Sequence, residues 1–140
     1  MIFGDNLLTL AMQRLILGPI PPGKEVLAHP LFLAAWVGLM VTMLNLWPIG
    51  QLDGGHVAYA LFGKRAVWVG KAAALGLVAL TLFWSVTWLL WLLIAAKVVG
   101  YGHPPVEYEG VPLSPGRKVA CVVCFVAFVL CLIPVPVTSL

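Results

Sequence analysis

Charge is what this chain lacks. Of its 140 residues only 9% are Asp, Glu, Lys or Arg, against 62% hydrophobic, and the mean hydropathy is +1.06. A soluble domain carries about 25% charged residues. A soluble globular fold is therefore excluded and an integral membrane protein, with the lipid bilayer as its partner, is expected. The formal net charge is +3, but no basic cluster with interleaved aromatics is present. That excludes nucleic acid as a partner and leaves the excess as loop charge beside lipid headgroups. Met1 to Leu17 reads as a poor signal peptide, because it carries Asp5 and Arg14 within its apolar pattern and has no small-residue cleavage site. Cysteine is scarce: Cys121, Cys124 and Cys131 all lie in one apolar run. Cys121 and Cys124 would share a helix face, yet no second pair or nearby histidine completes a redox or metal site. They read as small packing residues of a membrane helix.

What is present is a series of apolar segments punctuated by proline and glycine. In residues 1–17 the apolar positions Leu7, Leu8, Leu10, Ala11, Leu15 and Ile16 fit one helix face, with Asp5 and Asn6 as candidate caps. This segment falls short of the ~20 residues that a span needs, so it is expected as an interfacial or re-entrant helix. A Gly-Pro-rich loop with Lys24 and Glu25 follows. Residues 27–62 are expected as a broken helix: a span over Leu27 to Trp47, an interruption at Pro48 to Gln51, and a half-helix from Leu52 that Gly63-Lys64-Arg65 ends. Residues 66–99 exceed one span. A split near Trp84 to Trp88, whose indoles suit a membrane interface, makes them a helical hairpin; one long helix is the alternative. Tyr101 to Gly116 is a polar, proline-rich connection, and residues 117–133 form the last helix, closed by Pro134-Val135-Pro136.

The expected fold class is all-α, a polytopic transmembrane helical bundle forming a single transmembrane domain over residues 1–140. With the hairpin, Lys64, Arg65, Lys97, Arg117 and Lys118 fall on one side, opposite Arg14 and Lys24. The positive-inside rule makes that side cytoplasmic, and it places Asp53 toward the cytoplasm.

One stretch looks like chemistry: Asn45-Leu46-Trp47-Pro48-Ile49-Gly50-Gln51-Leu52-Asp53-Gly54-Gly55-His56. A carboxylate in apolar surroundings costs several kcal/mol unless it is paired, protonated or bound to a cation. Asp53 therefore needs a reason to be there. The glycines remove side chains where a backbone, a metal or a substrate comes close, and Pro48 stops the helix. Asn45 and Asp53, on either side of the break, are expected to look into one polar pocket, with Gln51 and His56 helping to line a path for water. The bland reading is an ordinary loop at the membrane surface, where an aspartate is cheap. Asn45 has a bland reading as well, as a hydrogen bond between helices worth ~0.6 kcal/mol in lipid. His56 lies three residues after Asp53 and can share its helix face, as a ligand or, more plainly, as a residue behind the ligands. His29 and His103 each precede a proline and read as loop residues.

The pattern Asn-Leu-x-Pro-x-x-x-Leu-Asp-Gly-Gly resembles the second metal-binding motif of the site-2 protease family, integral membrane metalloproteases that cut other membrane proteins within or near the bilayer. The block from His103-Pro104-Pro105 through Pro112-Leu113 to Pro134-Val135-Pro136 also looks like the C-terminal end of that family's bacterial and plastid branch. The resemblance covers most of the chain from Gly4 onward. It implies a catalytic zinc with Asp53 as its carboxylate ligand, and Asn45 as a contact to the substrate or the developing oxyanion. Pro48, Leu52, Gly54 and Gly55 would be the motif's framework, and His56 a possible residue behind the metal ligands. The family also uses a His-Glu-x-x-His helix, and neither His29, His56 nor His103 is followed by Glu. The other two zinc ligands and the general base are thus expected from a missing N-terminal half or a partner chain. The implied substrates are transmembrane segments of membrane proteins, in a bacterial inner membrane or, alternatively, a plastid membrane. The competing reading is a pseudoprotease of the same fold that binds such segments without cutting them. A small transporter or channel is disfavoured by the lack of an inverted repeat and of enough intramembrane polar residues.

Overall fold

The computed structural model describes residues 2–19, 21, 29–100, 103–104 and 111–138. Lys24, Glu25, Leu27 and half of the Tyr101 to Gly116 connection lie outside these. Six helices make up the fold: α1 (Leu7–Leu17), α2 (Pro30–Asn45), α3 (Asp53–Phe62), α4 (Ala66–Phe83), α5 (Trp88–Ile94) and α6 (Pro115–Cys131). The one departure from an all-helical chain is a minimal antiparallel ladder, β1 (Ile2–Phe3) with β2 (Val137–Thr138), pairing Ile2 with Thr138 and Phe3 with Val137. Two residues per strand give no period that sequence reading can detect. The ladder ties the two ends of the described chain together. Gly4 N donates to Pro136 O at 3.0 Å, and the Trp36 indole donates to Gly4 O at 2.7 Å.

The helix starts follow from local chemistry. Asn6, not Asp5, caps α1: its side chain accepts from Thr9 N at 2.8 Å while Thr9 Oγ1 accepts from Asn6 N at 3.1 Å, a reciprocal capping box. Pro30 opens α2, with the His29 ring accepting from Leu31 N at 3.2 Å. Gly63, at φ 57°, caps α3, and the chain makes a single 3₁₀ turn over Gly63–Arg65 straight into α4. α3 ends at Phe62, where Gly63-Lys64-Arg65 was expected to end it, and the positive φ of Gly63 bends the backbone into α4 without opening a loop. Between α4 and α5 the chain turns at 84–87. Ser85 Oγ accepts from Thr87 N at 3.3 Å, and Ser85 O from Trp88 N at 3.2 Å. After Ile94 the helix widens into a π turn, Ala95–Val99, closed by Gly100 N to Ala95 O at 3.0 Å.

Among the described residues one helical run, Asp53–Phe83 with 31 residues, is long and apolar enough to cross a membrane. Leu7–Leu17, Pro30–Asn45 and Trp88–Lys97 are apolar but shorter. The 18-residue α4 by itself is ~27 Å long, close to a bilayer's ~30 Å hydrocarbon core.

The core forms where α2, α4, α5 and α6 converge. Trp47 packs on Trp88 with ring centroids 5.6 Å apart and meets Phe128 edge-on at 5.1 Å. The Trp88 indole donates to Pro134 O at 2.7 Å, and that of Trp47 to Ala73 O at 3.3 Å. Trp88 is therefore a core residue, not the interfacial indole expected of it, since an interior carbonyl satisfies its N–H; Trp84 remains exposed. α6 packs against α1, α2 and α3. The outside is apolar as well. Leu15, Leu31, Leu82, Phe83 and Val86 are each at least 72% exposed, which inverts the pattern of a water-soluble fold.

Candidate active site

The stretch between Asn45 and Asp53 folds into a compact turn whose apolar residues point in and whose polar residues point out. Pro48 has no N–H to continue α2. The chain instead closes through Trp47 N to Leu44 O at 3.3 Å, Ile49 N to Trp47 O at 2.7 Å and Leu52 N to Ile49 O at 3.1 Å. Trp47 and Ile49 are buried and anchor the turn in the core. Asn45, Gln51, Asp53 and His56 are all exposed.

Glycine does one job here, the close approach of backbone to backbone. A Cβ on Gly54 would collide with the Leu46 carbonyl and lie 2.7 Å from Trp47 C, and one on Gly55 would collide with the Gly50 carbonyl. Gly50 itself, at φ 51°, backs onto the carbonyls of Val99 and Gly100. The first turn of α3 is thereby pressed against the end of α2 and the end of the π turn. These glycines leave no room for a metal or substrate; they fix where Asn45 and Asp53 stand relative to each other.

Asn45 is the last residue of α2 and Asp53 the first of α3, at the positive end of that helix's dipole. Leu52 supplies no side-chain cap. Neither Asn45 nor Asp53 has a side-chain hydrogen bond or ion pair among the described residues, so both stay available to a ligand. Asn45 lines an apolar cavity of about 130 Å³ together with Val41, Leu52, Trp91, Ala95 and Val99, and Asp53 is not part of its wall. Asp53 is exposed where apolar surroundings were expected, because the helix start lifts it to the surface of the described chain. Its case as a ligand thus rests on the motif and its accessible carboxylate, not on burial.

His56, one turn along α3, meets a partner that sequence spacing could not reveal. Its Nδ1 lies 2.6 Å from Nε2 of His103, and His103 Nδ1 lies 2.7 Å from Pro104 O. A carbonyl only accepts, so Nδ1 of His103 carries a proton; with both rings neutral, its Nε2 accepts from Nδ1–H of His56. That leaves the lone pair of His56 on Nε2, without a partner among the described residues, which is the form of imidazole that binds metals. Tyr59 stacks on the His103 ring with centroids 4.1 Å apart and 17° between planes. His103, read from sequence as a loop residue, is thus pinned to the face of α3 that carries Asp53, and no local signal pointed to it. His29 is confined to the start of α2.

No group of three His, Cys, Asp or Glu side chains able to hold a metal exists among the described residues. The carboxylate of Asp53 has the right chemistry for zinc, but zinc takes at least three protein ligands, so the described residues do not form a complete zinc site. Cys121 and Cys124 are half-buried on α6 with free thiols.

Residues 11–87, more than half of the chain, match Peptidase family M50. The chain is 31% identical over 139 residues, 96% of its length, to the probable zinc metalloprotease EGY1, chloroplastic, of Arabidopsis thaliana. It is 39% identical over 115 residues, 80% of its length, to the probable zinc metalloprotease EGY3, chloroplastic, of Oryza sativa subsp. japonica. With the probable zinc metalloprotease EGY2, chloroplastic, of Arabidopsis thaliana it shares 28% over 133 residues, 94% of its length. The chain spans between 20% and 25% of the length of these zinc metalloprotease relatives. No solved structure matches it. A Pro-broken helix pair that presents Asn45 and Asp53 on a glycine-packed turn, in a chain that aligns with zinc metalloproteases over nearly its whole length, places this protein in peptidase family M50, the site-2 proteases.

Proposed function

We propose that this chain is the Asp-bearing part of a zinc-dependent intramembrane endopeptidase of the site-2 type, which cuts transmembrane segments of other membrane proteins. Asp53 is a zinc ligand. Two further ligands and the general base come from a His-Glu-x-x-His helix outside these 140 residues, on an N-terminal half or a partner chain. Zinc so held acidifies a bound water toward pH 7. Asn45 donates its side-chain amide to a substrate carbonyl beside that metal. The apolar exterior sits in a bilayer as a polytopic, multi-pass bundle of a bacterial inner membrane or a plastid membrane. Lys64, Arg65 and Lys97 gather at the open end of the α4–α5 hairpin, and Gly50 backs onto Gly100 at that same end, which supports Asp53 on the cytoplasmic side.

The observation that carries this reading is the glycine-packed turn itself. It holds one carboxylate and one amide, exposed and without a side-chain partner among the described residues, at the ends of two successive helices. The test is cleavage of a single-span substrate by the whole polypeptide in liposomes. Wild-type protein is expected to cut, and Asp53→Ala to lose cutting together with its zinc; cutting by Asp53→Ala at the wild-type rate defeats the reading.

The alternative reading is a non-catalytic member of the same family. A pseudoprotease that captures transmembrane segments would be zinc-free and would still bind peptides, and the zinc content in the same experiment separates the two.

A further inference from the structure

We infer that the cavity beside Asn45 is a specificity pocket that takes one apolar side chain of the transmembrane substrate. The inference rests on the proposed role of the site as a binder of such segments, and it adds which residue of the segment is selected and by what. Three features of the cavity lead there. Its volume, about 130 Å³, is near the ~150 Å³ of an apolar cavity that holds a benzene-sized guest. One Leu, Ile, Met or Phe side chain fits; a whole helix does not.

Its wall is built from the motif. Leu44, Asn45, Trp47, Ile49 and Leu52 all contribute, so the cavity opens beside the exposed Asn45 amide, with Asp53 outside its wall. Leu44, Trp47, Ile49, Leu77 and Ala95 are buried and make the floor, whereas Val41 and Asn45, one turn apart on α2, are exposed at the rim. An amide at the mouth of an apolar pocket is the arrangement that fixes a ligand's orientation while the pocket selects its side chain. With the Asn45 amide on a substrate backbone carbonyl, the adjoining side chain drops onto that floor.

The opposite wall is the π turn Ala95–Val99. A π turn opens the helical backbone by one residue and occurs frequently at functional sites. Here it sets the small Ala95 against the floor, and Gly50 packs on the carbonyls that end it. The pocket's width is thus tied to the motif turn.

The test uses the whole polypeptide in liposomes with single-span peptides that carry a photo-crosslinker and differ at one position. Peptides with Leu, Met or Phe at that position are expected to be captured about tenfold better than those with Gly or Asp, the range that a few methylenes command in an apolar pocket. Filling the cavity from the rim with Val41→Trp, or from the floor with Ala95→Leu, is expected to abolish that preference, read as the ratio of Leu-peptide to Gly-peptide capture within each variant. Val41 is exposed, so its variant folds whatever Ala95→Leu does, and circular dichroism confirms it. Capture independent of the varied side chain, or a preference that survives in Val41→Trp, overturns the inference; either result means that a lipid chain or another segment of the polypeptide fills the cavity. Zinc measured in the same samples keeps the two readings apart. A side-chain preference in zinc-free protein upholds the pocket against the protease, and zinc lost in Asp53→Ala without any preference upholds the protease against the pocket.

Discussion

Asp53 and the glycines that follow it make different demands on a substitution. Gly54→Ala puts a methyl group into the Leu46 carbonyl, a backbone group that cannot swing aside. The clash outweighs the ~1 kcal/mol that alanine gains over glycine in a helix. We expect a net loss of about 1–3 kcal/mol, typical of overpacking, read by thermal unfolding in detergent, together with lower zinc occupancy as Asp53 shifts. Asp53→Asn is the converse. The side chain is exposed and has no partner among the described residues, so zinc is lost while the melting temperature matches that of wild-type protein stripped of zinc by a chelator. The His56–His103 pair has its own signature. Nitrogen NMR of the imidazoles is expected to show Nδ1 protonated on both rings, and His103→Ala to release His56 to the mixed tautomers of a free side chain.

Among the elements, what the sequence shows depends on how local the cause is. The break between α2 and α3 is legible because Pro48 alone dictates it, and the start of α2 because Pro30 suits a first helical turn. Trp88 is different. Tryptophan serves a membrane interface and a core equally well, and only the distant Trp47 ring and Pro134 carbonyl decide for the core. We expect Trp88→Ala to cost about 3–5 kcal/mol, as for other buried aromatic truncations, whereas Trp84→Ala changes little. The π turn over Ala95–Val99 leaves no mark in the sequence, since its residues are ordinary helix formers and its cause is packing on the Gly50 turn. The meeting of His56 with His103 is equally hidden, as 47 residues separate them. Of the candidate site, the residues Asn45 and Asp53 were legible through their motif. Their separation by an apolar pocket that only one of them lines was not, because it depends on which way each helix end faces.

For the whole molecule, the exterior decides the environment. Leucines and phenylalanines cover the outer faces of α1, α4 and α5 at exposures that water would not tolerate. Cysteine-labelling from the two sides of a membrane is expected to modify Lys97→Cys and Arg117→Cys from one side and Arg14→Cys from the other; modification of Lys97→Cys and Arg14→Cys from the same side would contradict the arrangement. The motif turn belongs to the Lys97 side, where Gly50 lies against Gly100. Its exposed carboxylate faces outward from a chain that spans at most 25% of the zinc metalloprotease relatives named above, and that open face is where we place the missing histidines. The most direct measurement is metal content by mass spectrometry of the whole polypeptide purified from its membrane, beside Asp53→Ala. About one zinc per chain in the wild type, gone in the variant, is the result predicted; a metal-free wild type, or zinc that persists without the Asp53 carboxylate, would contradict it.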